Sequence, residues 1–294
     1  MALMTDDPFV THRNLLFTVA YEMLGSAADA EDVLQESWLR WSAVDQTQVR
    51  EPRAYLVRIV TRQALNQLRT VSRRREDYVG EWLPEPLLTS PDVADDVELA
   101  ESVSMAMLTV LETLAPTERA VFVLREVFDL PYDEIAGAVD KTPAAVRQIA
   151  HRAKDHVAAR RPRVHVEPTE QEEVLERFLA AVNTGDLQGL MDVLAPDVVS
   201  VADGGGKVRG AARRPIVGAE KLAAYLLGGM EKFGITFVAT PAWVNGAPGA
   251  RVEVDGELVG AISVTVEGGR ITRIYSVANP DKLAWLDAEA GLAR

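Results

Sequence analysis

The sequence contains no cysteine, only four histidines, and few aromatic residues, which make up 6% of it. The absence of cysteine excludes a disulfide framework and a thiolate zinc site. Four histidines leave little material for a histidine-rich metal site, and nothing in the sequence indicates a cofactor. No stretch approaches the roughly 18 apolar residues of a membrane span, and the first residues do not resemble a secretion signal. We therefore expect a cytoplasmic protein with no membrane partner.

Acidic residues are in excess, with a net charge of −13, yet two short segments are strongly basic. Residues 50–75 hold eight Arg and one Glu, and residues 141–163 hold seven Lys or Arg and one Asp. Basic charge concentrated in a chain that otherwise repels polyanions is typical of a nucleic-acid interface. Two such segments predict that one protein contacts DNA at two places.

The length of 294 residues and the apolar content of 48% allow two or three domains. Helical patterns fill the first two-thirds, interrupted by a proline-rich and acidic stretch that we interpret as a linker. Beyond it, helices give way to short β-rich runs punctuated by glycine. That order predicts a curved antiparallel sheet with helices on one side. The predicted segments are 1–78, the linker 79–98, 99–163, and 167–294.

In the last segment we expect two helices, Glu170–Asn183 and Ala219–Glu231. The predicted strands are Asp197–Ala202, Ile235–Val244, Ala250–Val254, Leu258–Val266 and Arg270–Val277.

The second basic segment has the pattern of a helix-turn-helix. A short helix from Tyr132 to Val139 is followed by a turn, and Thr142-Pro143 is a good entry to the next helix. Such a pair with a polar, cationic outer face is suited to the major groove of DNA. The outer face holds Arg147, Gln148, His151 and Arg152. The alternative is an ordinary helical hairpin whose solvated face happens to be basic.

The first basic segment predicts a long helix from Pro52 towards Arg69. Its apolar residues recur as Leu56, Val60, Ala64 and Leu68. The opposite side holds Arg58, Arg62, Asn66, Arg69 and Arg73. No acidic residues interleave to neutralise this side, so it is suited to phosphates, while Asn66 could bond a base. Tyr55 is a candidate to stack on an unpaired base, or else a core or rim aromatic.

Upstream, the residues from Asp29 to Trp41 form an amphipathic helix, with Trp38 and Trp41 both predicted on its apolar face. Asp32, Gln35 and Glu36 share the outer face. Taken alone, that face is solvated polar surface.

These residues together resemble extracytoplasmic-function (ECF) bacterial sigma factors. Asp29-Ala-Glu-Asp-Val-Leu-Gln-Glu36 and the Pro52 helix resemble the second conserved domain of that family. Leu114-Ala-Pro-Thr-Glu-Arg119 and Tyr132-Asp-Glu-Ile-Ala136 resemble its fourth domain. The two patterns occur in the expected order and cover roughly residues 10–75 and 100–160.

The resemblance implies an alternative sigma factor whose partners are core RNA polymerase, through its β′ and β subunits, and promoter DNA. Asp32, Gln35 and Glu36 would contact polymerase. The Pro52 helix, with Tyr55, Arg58, Arg62, Asn66 and Arg69, would read and melt the −10 element. Arg147, Gln148, His151 and Arg152 would meet the −35 element. Lys141-Thr-Pro-Ala-Ala departs from the commoner family sequence, so no −35 sequence preference is assigned.

Trp82-Leu-Pro-Glu-Pro-Leu87 lies in the linker, and Asp203-Gly-Gly-Gly-Lys207 and Asn279-Pro-Asp-Lys-Leu283 lie in the last segment. These three motifs resemble the SigJ-type subgroup, which carries a C-terminal SnoaL-like domain related to nuclear transport factor 2. The implied regulatory contacts between domains are Trp82, Pro84, Asp203, Gly204, Lys207, Asn279, Asp281 and Lys282. Without the resemblance, Asp203-Gly-Gly-Gly-Lys207 is either an anion-holding turn or a flexible turn between strands.

Relatives of the SnoaL-like fold include isomerases and cyclases, but the last segment contains no histidine. Asp197 and Asp203 are candidate acids, and we expect both to be solvated. A pocket for a small-molecule ligand is a further candidate, and Tyr225, Trp243 and Tyr275 could line it. The alternative is that these three aromatics are core residues. The other function classes considered are a one-component helix-turn-helix regulator and an enzyme with a DNA-binding appendage.

Overall fold

The computed structural model describes residues 7–76, 78–160, 166–233 and 237–294. The side chains of 71–76, and with them Arg73, lie outside the described residues, as do those of 230, 231 and 233. The chain divides into two compact units. The first comprises Met1–Glu76, Met107–Arg161 and Gly291–Arg294, and the second comprises Asp77–Ala106 and Pro162–Ala290. The predicted linker therefore belongs to the same unit as the C-terminal strands.

Twelve α-helices are described. They are α1 Pro8–Thr11, α2 Arg13–Leu24, α3 Ala27–Ser42, α4 Pro52–Glu76, α5 Val97–Val103, α6 Met105–Leu111, α7 Pro116–Phe122, α8 Tyr132–Val139, α9 Pro143–Ala158, α10 Pro168–Thr184, α11 Leu187–Val193 and α12 Ala219–Phe233. Several begin on residues suited to that position: Ser26 accepts a bond from the Asp29 N–H, and Pro52 starts α4. Helix α4 continues one to two turns beyond the predicted end.

One part of the core of the first unit lies between α2, α3 and α4. Tyr21, Trp41, Leu56 and Val60 are fully buried there. The prediction for Trp38 is wrong, because its side chain remains partly exposed and packs edge-on against Phe9. Of these two tryptophans, only Trp41 is buried in the core.

Within its described residues, the second unit contains six strands in one sheet. They are β1 Leu194–Asp203, β2 Ile216–Val217, β3 Phe237–Val244, β4 Ala247–Val254, β5 Glu257–Glu267 and β6 Arg270–Val277, in the order β2-β1-β6-β5-β4-β3. The α+β class is present, and each of the five predicted strands has a counterpart; Ile235 and Thr236, at the predicted start of the second, lie outside the described residues. The prediction of a wholly antiparallel sheet is wrong, because β1 and β6 pair in parallel. A parallel pair needs a long connection, and here α12 and β2–β5 supply it.

Both faces of this sheet are covered. Successive strand residues point to opposite faces, so Ile274 and Tyr275 belong to different apolar clusters. Ile274 packs with Phe178 of α10 and Leu222 of α12. Tyr275 packs with Leu83 of the linker and Leu286 near the C-terminus. The linker therefore completes the second face of the sheet.

No helix within the described residues combines the length and the apolar character needed to cross a membrane.

Candidate nucleic-acid interface and linker contacts

Helix α4 presents the predicted cationic side. The apolar residues opposite it are all buried: Leu56, Val60, Ala64 and Leu68. The four polar positions are all exposed: Arg58, Arg62, Asn66 and Arg69. An amphipathic helix held by its apolar face leaves such a row open to solvent and to ligands.

Tyr55 lies at the edge of this surface and is half-buried. Its ring centroid is 5.9 Å from that of Trp41, in a tilted arrangement. The Arg58 guanidinium lies 5.0 Å from the Tyr55 ring centroid. The position is that of a rim aromatic, anchored on one side by the core and flanked by a cation.

The outer face of α3 is acidic and exposed. Asp32, Gln35 and Glu36 all face solvent. Glu36 forms an ion pair with Arg40 one turn later, at 3.1 Å. The exposed Leu39 lies on the same helix, so this surface offers both charge and apolar area to a partner.

The helix-turn-helix has the predicted local geometry. Helix α8 ends at Val139, and the following Asp140 has a φ of 53°, in the left-handed region. The Thr142 side chain accepts a bond from the Ala145 N–H at 3.2 Å and begins α9. The four outer-face residues are exposed: Arg147, Gln148, His151 and Arg152. The core face of α9 is buried at Val146, Ala150, Ala153 and Val157.

The structure links α4 to α8 and the turn of the helix-turn-helix by a contact that the sequence analysis missed. The Arg62 guanidinium donates to the Asp140 carboxylate at 2.6 Å and to the Gly137 carbonyl at 2.9 Å. One predicted DNA contact on α4 is therefore bound to the turn of the helix-turn-helix. The sequence pattern predicts a turn after Val139, but it does not predict that Arg62 is the partner of Asp140.

A buried arginine makes a second contact between the same parts of the first unit. Arg119 of α7 is only 2% exposed, forms an ion pair with Glu112, and donates to the Glu22 backbone carbonyl of α2 at 2.8 Å. Burial lowers the pKa of Arg119 to about 9, so the group is still cationic at neutral pH.

In the second unit, the buried carboxylate of Asp203 anchors the linker. One oxygen accepts bonds from the Tyr78 hydroxyl at 2.5 Å and the Gly205 N–H at 3.0 Å. The other accepts from the Leu83 N–H at 2.9 Å and the Lys282 ammonium at 2.7 Å. The expectation that Asp203 is solvated is wrong, since its exposure is 0%. Four donors satisfy both oxygens, which is how a buried carboxylate is stabilised.

Lys282 is the cation of this arrangement, which we call the linker clasp (Tyr78, Trp82, Leu83, Asp203, Asn279 and Lys282). Lys282 is 7% exposed, donates to the Leu83 carbonyl at 2.5 Å, and lies 4.0 Å from the Trp82 ring centroid. Asn279 donates to the Tyr78 hydroxyl at 2.7 Å. Burial and the bond to Asp203 raise the pKa of Tyr78 above its ordinary value, which keeps the phenol a donor.

The remaining predicted regulatory residues surround the clasp. Pro84 and Gly204 are buried, and a Cβ on Gly204 would lie 2.6 Å from that of Ala211. Lys207 and Asp281 form an exposed ion pair at 2.5 Å. The three motifs that resemble one subgroup therefore meet at one place in the second unit.

Asn245 provides a second attachment of the linker that the sequence analysis missed. Its buried side chain accepts from the Leu87 N–H at 2.9 Å and donates to the Val103 carbonyl at 2.8 Å. Thr89 bonds the neighbouring Gly246 N–H at 3.0 Å. The Asn-Gly pair predicts a tight hairpin turn between β3 and β4. It does not predict that the Asn245 side chain bonds the linker.

The proposed ligand-lining aromatics do not form one group. Tyr225 packs with the helix-covered cluster, and its hydroxyl bonds the Gly210 carbonyl at 2.9 Å. Tyr275 lies in the other cluster, beneath the linker, where burial raises its pKa. Asp197 is exposed. Within the described residues, no group of three or more His, Cys, Asp or Glu could hold a metal ion.

Comparison with known proteins assigns the two helical segments. Residues 9–74 match the family model for Sigma-70 region 2, and residues 104–157 match that for Sigma-70 region 4.

Two relatives match nearly the whole chain. The ECF RNA polymerase sigma factor SigJ of Mycobacterium tuberculosis is 38% identical, with 93% of this chain and 91% of that protein covered. The probable ECF RNA polymerase sigma factor SigI of the same species is 33% identical, with 95% of each covered. The crystal structure of M. tuberculosis SigJ superposes with a TM-score of 0.75 at 35% identity, covering 94% of this chain and 97% of that one.

Proposed function

Since this chain belongs to the ECF RNA polymerase sigma factors, and is thus an alternative sigma factor for transcription initiation, we propose which surfaces carry that function. The exposed side of α4 contacts the −10 element, and the outer face of α9 contacts the −35 element. The observation that carries this assignment is the position of both cationic faces. Each lies on an amphipathic helix inside a segment that matches a sigma region.

On α4, the cations Arg58, Arg62 and Arg69 neutralise phosphates and Asn66 bonds a base edge. Tyr55, half-buried at the rim, stacks on a base that leaves the duplex during opening. On α9, Arg147, Gln148, His151 and Arg152 enter the major groove, where Arg and Gln suit bidentate bonds to base edges.

Asp32, Gln35 and Glu36 on α3 dock the protein on core polymerase, with β′ as their partner and β contacted elsewhere. The exposed position of all three supports the assignment. A cytoplasmic location is part of the same proposal.

The C-terminal domain regulates the sigma regions in cis through the linker. The linker clasp supports this, because it fixes the linker by a buried ion pair instead of leaving the segment as a free tether. The domain acts by contact and not by turnover, since the acid with the most enclosed position, Asp203, has both oxygens bonded within the clasp.

A test of the polymerase contact is the double variant Asp32→Ala/Glu36→Ala. It removes two charges from the proposed docking face, and we expect binding to core polymerase to weaken about tenfold or more, as for interface residues that contribute strongly. Binding of labelled protein to purified core enzyme measures this.

The matched control is Glu173→Ala/Glu176→Ala, which removes the same charge from exposed positions on α10. Core affinity equal to that of the unmodified protein in the Asp32/Glu36 variant would contradict the docking assignment. The comparisons give no support to the alternative of a one-component regulator, for which these acids would be dispensable.

A further inference from the structure

Tyr132 contacts two arginines at the start of the helix-turn-helix. It is the first residue of α8 and is half-buried. The Arg125 guanidinium lies 4.9 Å from the Tyr132 ring centroid, and the Arg147 guanidinium lies 5.6 Å from it. Both distances are within the range of a cation–π interaction. All three residues lie in the segment that matches region 4, and Arg147 is one of the residues assigned to the −35 element.

Arg125 is the fixed cation of this group. Its guanidinium donates to the Leu130 carbonyl at 3.0 Å and forms an ion pair with Asp129 at 2.9 Å. These bonds connect Arg125 to the chain segment that leads into α8. Tyr132 therefore packs against a cation that other bonds already hold in place.

Arg147 is held by the Tyr132 ring and, within the described residues, by no hydrogen bond or ion pair. Its side chain is exposed. An exposed arginine loses rotamer freedom when it binds a ligand, and that loss lowers affinity. A ring that already holds the guanidinium near one position reduces the loss. Unlike a carboxylate, the ring takes none of the hydrogen bonds of the guanidinium, so its N–H donors remain available to a base.

The position of the guanidinium matters more for a base than for a phosphate. Bidentate bonds from arginine to a guanine edge need two N–H groups aligned with the base. Contacts to phosphates fix the register of the protein on the duplex and carry no sequence information. Loss of the ring should therefore lower sequence preference more than it lowers general affinity for DNA.

We propose that Tyr132 is a positioning residue for Arg147, and that it thereby sets the base preference at one position of the −35 element. The proposal rests on the assignment of α9 to that element. It adds a residue of α8, outside the helix that enters the major groove. Tyr132 acts through the Arg147 guanidinium and not by its own contact with a base.

The test measures base preference in holoenzyme assembled from the full chain and purified core polymerase. The probe is a pool of random-sequence duplexes, and sequencing of the bound fraction gives the preference at each −35 position. Arg147→Ala identifies the position that Arg147 reads, because the preference relaxes there. Tyr132→Leu keeps an apolar side chain but removes the ring. It should lower the preference at the same position about two- to fivefold and leave the other positions unchanged.

Tyr132→Phe is the matched control, because phenylalanine keeps the ring and loses only the hydroxyl. It should retain the base preference of the unmodified protein. The Arg147→Ala background separates positioning from damage to the fold. In that background Tyr132→Leu should cause no further loss of −35 binding, since the two residues act as one unit.

An unchanged base preference in Tyr132→Leu would overturn the proposal, as would an equal loss in Tyr132→Phe. A loss of the same size with and without Arg147 would also overturn it, because the ring would then act through the fold. These three results leave the assignment of α9 intact. If Arg147→Ala itself left every −35 preference unchanged, that assignment would fail and the proposal with it.

Discussion

Promoter-dependent transcript should fall by more than about tenfold when Arg62 and Arg147 are both replaced by alanine. Each arginine that contacts DNA contributes about 1–3 kcal/mol, and the two lie on different helices, so their losses should add. Arg62→Ala also breaks the ion pair with Asp140, but the lost phosphate contact is the larger effect. Run-off transcription with purified core polymerase measures the result.

The salt dependence of DNA binding is an independent test of whether the Arg62/Arg147 variant has lost two phosphate contacts. Removing two cations from the interface should reduce the slope of log affinity against log salt by about two. The control is Arg209→Ala/Arg214→Ala, which removes the same charge from exposed positions in the second unit. An unchanged transcript yield from the Arg62/Arg147 variant, with the protein folded, would refute the assignment of both surfaces.

Breaking the linker clasp should destabilise the second unit severely. Lys282→Met leaves the Asp203 carboxylate buried without its cation, and removing one partner of a buried ion pair costs about 3–5 kcal/mol. The free energy of unfolding, measured in urea, should fall by that amount. The Leu83 amide, which donates to Asp203, should lose protection against hydrogen exchange because the linker is released.

Lys207→Met is the control for this variant. Lys207 also forms an ion pair with an aspartate, Asp281, which precedes Lys282 in the sequence. In this pair both side chains are more than half exposed. Its loss should cost no more than about 1 kcal/mol. Similar costs for the two variants would show that the buried pair does not hold the linker.

The same variant tests control in cis. Released linker should alter promoter-dependent transcription at temperatures where the sigma regions remain folded, and equal transcription would argue against cis control. Deleting residues 167–294 is a blunter test, because it also strips Leu83 and Leu87 of the sheet that buries them. A single substitution at Lys282 leaves that apolar cover in place.

Local patterns explain which elements the sequence could predict. The spacing of Arg58, Arg62, Asn66 and Arg69 placed them on one side of a helix because helical periodicity is a local property. Thr142 and Pro143 predicted the start of α9 for the same reason. The outer face of α3, with Asp32, Gln35 and Glu36, was predicted from the same helical spacing.

Non-local contacts explain what could not be predicted. The parallel pairing of β1 with β6 depends on how 66 residues of intervening chain fold, and strand patterns do not encode it. Asp203 is the last residue of β1 and its sequence context predicts a turn, yet donors from the linker and from residue 282 enclose it. Asp140 was predicted as part of a turn, and only the packing of regions 2 and 4 gives it Arg62 as a partner.

The most direct test of the two-surface assignment is to map where each helix touches a promoter. A photo-crosslinking amino acid at Asn66 or at Gln148, both exposed, would be introduced into the full chain and assembled with core polymerase. Crosslinks from position 66 should map to the −10 element and those from position 148 to the −35 element. If both positions crosslinked to the same element, or if neither reached promoter DNA in an active complex, the assignment would be contradicted.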